Sequence, residues 1–225
     1  VSSPRVARPA PEVLLRRTFR RRRRGASLAD VNPSIPSAGD LTVERYFALA
    51  EQGAFEPDER VELLEGVVVP MVPQSPPHAY GVMAADAALR AVLGDRVVFR
   101  IQFPLVVDAR SVPEPDLALV EGPLSRYRDR HPETALLVVE VSQHTLASDR
   151  IVKSRLYASA GIPEYWIVRP AEDCVEVLRA PDAAAKVYRD HAVLRRDDRI
   201  TLVAFPDASV AVSELLPPAS ARVGG

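Results

Sequence analysis

Cysteine is nearly absent from this chain. The single Cys174 among 225 residues excludes an internal disulfide and a cysteine-rich zinc site, and it suits a reducing, cytoplasmic setting. Lysine is almost as scarce: Lys153 and Lys186 are the only two, and every other basic residue is arginine. Arginine stands wherever charge alone is wanted, so a lysine kept at 153 invites a chemical reason. No apolar run approaches the roughly 20 residues of a membrane-spanning helix, which argues against a membrane partner. The longest apolar run near the N-terminus, Val13-Leu14-Leu15, is too short for a secretory signal. There is no glycine-rich phosphate loop and no Gly-x-Ser-x-Gly elbow. His78 and His144 lack a Cys or His partner at zinc spacing.

Charge is present but segregated. The net charge of -1 hides nine arginines before Gly25, five of them in the block Arg20 to Arg24, against one acid, Glu12. The remainder holds 20 basic and 29 acidic residues, a net of about −9. An acidic body is not the profile of a DNA-coating protein, whose phosphate-binding surface is usually basic. Residues 1–38 are rich in Pro, Ser and Arg without a sustained period, and read as a disordered basic tail. Its arginine block either touches nucleic acid loosely or is a solvated tail or a leader from a misassigned start.

Order is expected from Leu41. Thr42 is placed to cap a helix reaching about Gln52, with Leu41 and Tyr46 as a hydrophobic staple and Gly53 as the stop. A hairpin follows over 61–64 and 67–69, turning at Glu65-Gly66. A loop over 73–77 precedes a helix over 79–93, stopped by Gly94. Strands are expected at about 97–107 and 116–120, then a polar loop over 121–134 and a strand over 135–141. A helix over 150–160, a strand over 165–168 and shorter strands near 174–179, 186–190 and 200–204 complete a mixed α/β (α+β) domain with a central sheet.

Within this frame, charged residues interrupt apolar elements. Pro115-Asp116 opens the run Leu117-Ala118-Leu119-Val120. In the 135–141 strand, Leu136, Val138 and Glu140 point one way and Leu137, Val139 and Val141 the other, so Glu140 breaks an apolar face near the strand's C-terminal end. A buried carboxylate is costly unless paired or bound to metal, and ligand crevices of α/β sheets lie outside those strand ends. A lone Glu there is also a common first solvated residue. Lys153, Leu156, Tyr157 and Ala160 share one helix face, the apolar one, so Lys153 either heads a core-facing stripe or snorkels at its edge. Asp116 and Glu140, with a backbone carbonyl such as that of Val141, make a hard-oxygen set suited to magnesium. A metal there would activate water and polarise a phosphoryl oxygen, and Lys153 could position water or offset charge on the phosphorane. His78 is either a phosphate or proton-transfer contact or a helix-start residue at the cleft rim. Asp149 reads as the N-cap of the lysine helix, and Tyr165 and Trp166 as core.

These residues carry a resemblance. Pro-Asp, then a Glu ending an apolar strand, then a lysine resembles the PD-(D/E)xK nuclease superfamily. The flanking segments are more specific: Arg60-Val61-Glu62-Leu63-Leu64-Glu65-Gly66, Pro76-Pro77-His78, Val139-Glu140-Val141-Ser142, Asp149-Arg150-Ile151-Val152-Lys153 and Leu156 through Trp166. They resemble the Uma-two family of restriction-endonuclease-like proteins over residues 41 to 205. The resemblance implies a restriction-endonuclease-like domain over 39–215 with a central mixed sheet flanked by helices, and a C-terminal tail over 216–225. It implies an Mg-dependent endodeoxyribonuclease acting on DNA, with manganese as a substitute cation and a homodimeric assembly. It assigns Asp116 and Glu140 to metal binding, and Glu62 to a weaker metal or water contact, with a strand-end carboxylate as the alternative. One departure matters. The superfamily lysine usually lies two residues after the Glu, where this chain has Ser142; the Uma-two resemblance implies that it has moved to Lys153. Two rivals stay open: a non-catalytic nucleic-acid-binding or regulatory module keeping the fold, and a metal-dependent hydrolase of another substrate.

Overall fold

The computed structural model describes residues 41–56, 59–142 and 149–218. The basic tail expected over 1–38, His144 and the residues after 218 lie outside them. Chain order begins with α1 (Val43–Glu51), capped by Thr42, whose hydroxyl accepts from the Arg45 amide at 3.4 Å. The hairpin β1 (Val61–Leu64) and β2 (Val67–Pro70) turns through Glu65 and Gly66, both at positive φ. Helix α1 packs on this hairpin through Leu41, Tyr46, Leu49, Val61, Leu63 and Val68, a small core of its own.

A six-stranded sheet is the frame. Its order is β3 (Val98–Arg100), β4 (Leu117–Val120), β5 (Leu137–Val141), β6 (Glu164–Arg169), β7 (Cys174–Asp182) and β8 (Val187–Arg195). All neighbours pair antiparallel except β5 and β6, which are parallel. A parallel pair needs a crossover. Here it contains a π-helical turn, Asp149–Lys153, leading into α3 (Ser154–Ser159). One sheet face, with Leu117, Leu119, Leu137, Val139, Trp166 and Val168, packs on α2 (Pro76–Leu93) and on the hairpin β9 (Arg199–Thr201) and β10 (Ser209–Ala211) with α4 (Val212–Leu215). The other, with Ala118, Val120, Val138, Tyr165 and Ile167, packs on Tyr157 of α3. The expected alternation is observed within β5, whereas Leu136, which precedes the strand and was expected on the Val138 side, packs against the Leu137 and Val139 cluster. Among the described residues no helix is long and apolar enough to cross a membrane.

Three expectations are corrected. Helix α2 begins at Pro76, with Ser75 as its cap accepting from the His78 amide. Proline is tolerated in a first helical turn because the amide it lacks has no partner there. The strand expected over 97–107 stops at Arg100, since Gln102 takes φ 54°, incompatible with an extended ladder. The lysine helix opens as a π turn, and its first α-helical residue is Ser154.

Candidate functional site

Strand pairing brings the two carboxylates together. Leu117 opposes Val139 and Ala118 opposes Val138. One step further along this antiparallel register, Asp116 opposes Glu140, and the Asp116 amide donates to Glu140 Oε2 at 3.4 Å. Both lie on the side chain parity that faces α3. Like charges directly opposite each other destabilise a sheet, so the pair must be compensated. The crossover returns over that face and delivers Lys153, whose Nζ lies 2.9 Å from Glu140 Oε1 and 3.4 Å from Glu62 Oε2. The Tyr157 hydroxyl donates to the same Glu140 Oε1 at 2.9 Å. All three charged groups are buried, at 6%, 4% and 7% exposure for Asp116, Glu140 and Lys153.

The remaining oxygens are also held. Asp116 Oδ2 accepts from the Val141 amide at 2.8 Å and lies 3.0 Å from His78 Nε2, while its Oδ1 accepts from Gln102 Nε2 at 3.2 Å. His78 reaches it because α2 approaches the sheet closely at Gly81, where a Cβ would stand 2.7 Å from Val141 Cγ1. Glu62 Oε2 accepts from the Glu114 amide at 3.2 Å. The π turn is tied from behind. Glu176 of β7, fully buried, takes two bonds at 3.0 Å from Arg150 Nε, one at 3.0 Å from Arg169 and a 3.1 Å contact with His191.

Electrostatics follow from this crowding. Burial pushes Glu140 up to about 8, against the pull of Lys153 and with added repulsion from Asp116, Asp149 and Glu62. Burial opposes the charge of Lys153, but Glu140 and Glu62 outweigh it and hold the ammonium protonated. Burial would also raise Asp116, yet the His78 hydrogen bond and charge and the Val141 amide hold it below its usual range. Burial raises the Tyr157 phenol well above its ordinary value, so it remains a donor.

Asp116, Glu140 and Lys153 line a cleft of about 270 Å³. Its walls include Glu62, Glu114, Asp116, Glu140 and Asp149 against the cations Arg60 and Lys153, with His78 beside them and an apolar rim from Val69 to Pro73. A larger cavity of about 340 Å³ lies at the opposite sheet end, between Glu121, Leu136 and Pro163. It contains none of the residues above, and its Arg126 is paired with Glu121.

Five of the sequence-proposed residues line this one cleft: Asp116, Glu140, Lys153, Glu62 and His78. Val141, proposed through its carbonyl, is not among the lining residues, and its amide donates to Asp116 Oδ2. Asp149 opens the π turn and lines the cleft, where the sequence suggested only a cap. Sequence reasoning missed Gln102, Glu114 and the Tyr157 hydroxyl. Only Gln102 left a signal, a polar residue between Ile101 and Phe103.

Among the described residues no set of three or more His, Cys, Asp or Glu side chains is arranged as a metal centre. The donor chemistry nevertheless fits a hard cation. Two adjacent buried carboxyl groups present hard oxygen atoms at one strand end, and oxygen ligands suit magnesium, which keeps several waters. Asp116 and Glu140, with the Val141 carbonyl, would hold it.

A mixed sheet flanked by helices, with two carboxylates and a lysine gathered at one sheet end, defines a restriction-endonuclease-like α/β protein. The sequence profile of the Uma2 (Uma-two) family, described as "Putative restriction endonuclease", matches residues 43–213, and the chain belongs to that family. A crystal structure described as a "putative nuclease belonging to DUF820" from Anabaena variabilis is similar in fold, with a TM-score of 0.59 at 14% identity, covering 78% of this chain and 97% of that one. No protein among those with curated functions matches.

Proposed function

We propose that this chain is a magnesium-dependent endonuclease that hydrolyses phosphodiester bonds of DNA, with manganese as a substitute cation. The observation that carries the reading is the convergence of Asp116, Glu140 and Lys153, from β4, β5 and the crossover, on one cleft, with Lys153 Nζ 2.9 Å from Glu140. This is the acid-acid-lysine set of the PD-(D/E)xK pattern, with the lysine on the crossover rather than on the strand. Membership of a family described as "Putative restriction endonuclease" supports it.

The roles follow from the contacts. Asp116 and Glu140 would bind the cation, with Glu62 contributing through water. When bound, magnesium supplies Lewis acidity: it makes water more acidic and polarises a phosphoryl oxygen. Lys153, fixed between Glu140 and Glu62, offsets negative charge developing on the phosphorane. His78 and Gln102 orient Asp116, and Tyr157 orients Glu140. A homodimer is proposed because cutting two strands calls for two sites, and a cytoplasmic setting because Cys174 is the only cysteine.

The test is incubation of supercoiled plasmid, single-stranded DNA and RNA with the protein in magnesium, manganese or chelator. Metal-dependent nicking of DNA is expected. Cleavage of RNA alone would move the substrate, and inertness on all three in every metal would refute nuclease activity.

A further inference from the structure

The mouth of the cleft carries a cation that its floor does not use. Arg60 immediately precedes β1, and its side chain is 44% exposed, whereas that of Lys153 is 9% exposed. Of the five N–H donors on a guanidinium, one reaches Glu114 Oε2 at 3.0 Å and one reaches Gln102 Oε1 at 3.3 Å among the described residues. Both supports lead back to the carboxylates. Gln102 Nε2 donates to Asp116 Oδ1 at 3.2 Å, and the Glu114 amide donates to Glu62 Oε2 at 3.2 Å. The guanidinium is thus held at a fixed offset from Asp116 through a single intervening side chain.

Two further features mark the arrangement as built. Gln102 adopts φ 54°, a left-handed conformation that is costly for a residue other than glycine and persists where surrounding structure demands it. That backbone aims its amide group between Arg60 and Asp116. The Arg60 carbonyl also accepts from the Met71 amide at 2.9 Å, which ties the apolar rim to the same residue. The rim from Val69 to Pro73 offers no charge, so Arg60 is the solvent-exposed cation among the cleft's described residues.

We propose that Arg60 is a phosphate-binding residue, taking a backbone phosphate that neighbours the scissile one on a nucleic-acid strand laid along the cleft. The planar fork of a guanidinium matches phosphate oxygens, and Gln102 sets its distance from Asp116. The proposal rests on the nucleic-acid reading above and deepens it by naming where the strand is gripped.

The test is binding of a fluorescent DNA duplex, and of the corresponding single strand, by the full chain in calcium, which shares magnesium's oxygen chemistry. Affinity is measured across a salt series. A lost phosphate contact reduces the slope of log affinity against log salt by ~0.9 for duplex or ~0.7 for a single strand, a change that general loosening of the fold does not mimic. Arg60→Gln is expected to show that reduction with affinity about tenfold lower at low salt. Arg60→Lys, which keeps the charge and loses the fork, is expected to retain the slope. Glu114→Gln, which frees the guanidinium from its acid, is expected to bind several-fold tighter. An Arg60→Gln slope equal to wild type, or a Glu114→Gln protein that binds no tighter, would overturn the proposal. Should wild type bind neither strand form, the nucleic-acid reading itself falls, and Arg60 with it.

Discussion

Glu140 is 4% exposed and sits among Asp116, Asp149 and Glu62, with Lys153 as its compensating cation. Its folded pKa, raised from an ordinary 4.5 to about 8, makes it bind a proton more tightly in the folded chain than in the unfolded one. That preference contributes stability in full below the unfolded value, and the contribution is lost as pH rises through the folded one. One pKa unit corresponds to about 1.4 kcal/mol. Integrated over the window from pH ~5.5 to pH ~8.5, the loss is roughly 3 kcal/mol. Glu114, also raised by burial, adds to the slope in the same direction. Lys153 adds none, because its raised pKa keeps it charged throughout. The perturbation that isolates Glu140 is Glu140→Gln, which mimics the protonated carboxyl. Urea unfolding in chelator at both pH values is the assay. Wild type should lose stability on going to the higher pH, and the variant should lose about 3 kcal/mol less. Magnesium should restore wild type at the higher pH and leave the variant nearly unchanged. Parallel pH profiles for the two proteins would refute the claim that a buried, under-compensated carboxylate sits at this strand end.

Two other perturbations test what surrounds the pair. Gly81→Ala places a methyl 2.7 Å from Val141 Cγ1, so α2 must shift, at about 1–3 kcal/mol, and carry His78 from Asp116. Thermal melting and plasmid nicking should both fall, and Val141→Ala in the same chain should recover them; no recovery would dissociate the close approach from the site. Glu176→Gln strips Arg150 and Arg169 of their buried acid. Urea denaturation should show a loss of about 3 kcal/mol, the low end for a broken buried pair because Arg150 can return to water. Cleavage by the folded variant should also slow, since the π turn holding Lys153 is untied.

Much of the site was legible because it violates the rule that charge stays out of apolar elements. Asp116 before an apolar run, Glu140 within one and Lys153 on an apolar helix face each stood out, and antiparallel pairing then determined that the acids meet. The hairpin at Glu65-Gly66 and the cap at Thr42 were legible because each is a local interaction. What escaped depends on conformation or distant convergence. Pro76-Pro77 reads as loop or as helix start with equal ease. Side-chain alternation gives no sign that Gln102 turns to positive φ and ends β3. The short β10 and α4 carry too few residues to show a period, although Val210, Val212 and Leu215 are buried. The Tyr157 hydroxyl looked like core because its ring is core; only the fold shows where its oxygen points.

The most direct measurement is supercoiled-plasmid nicking in magnesium by wild type, Asp116→Ala and Lys153→Ala, each first shown to be folded by its thermal transition. Wild type should nick, Asp116→Ala should be inactive, and Lys153→Ala should be slower by about 10²-fold or more. Equal nicking by all three, or by none of them in any divalent metal, would contradict catalysis at this cleft.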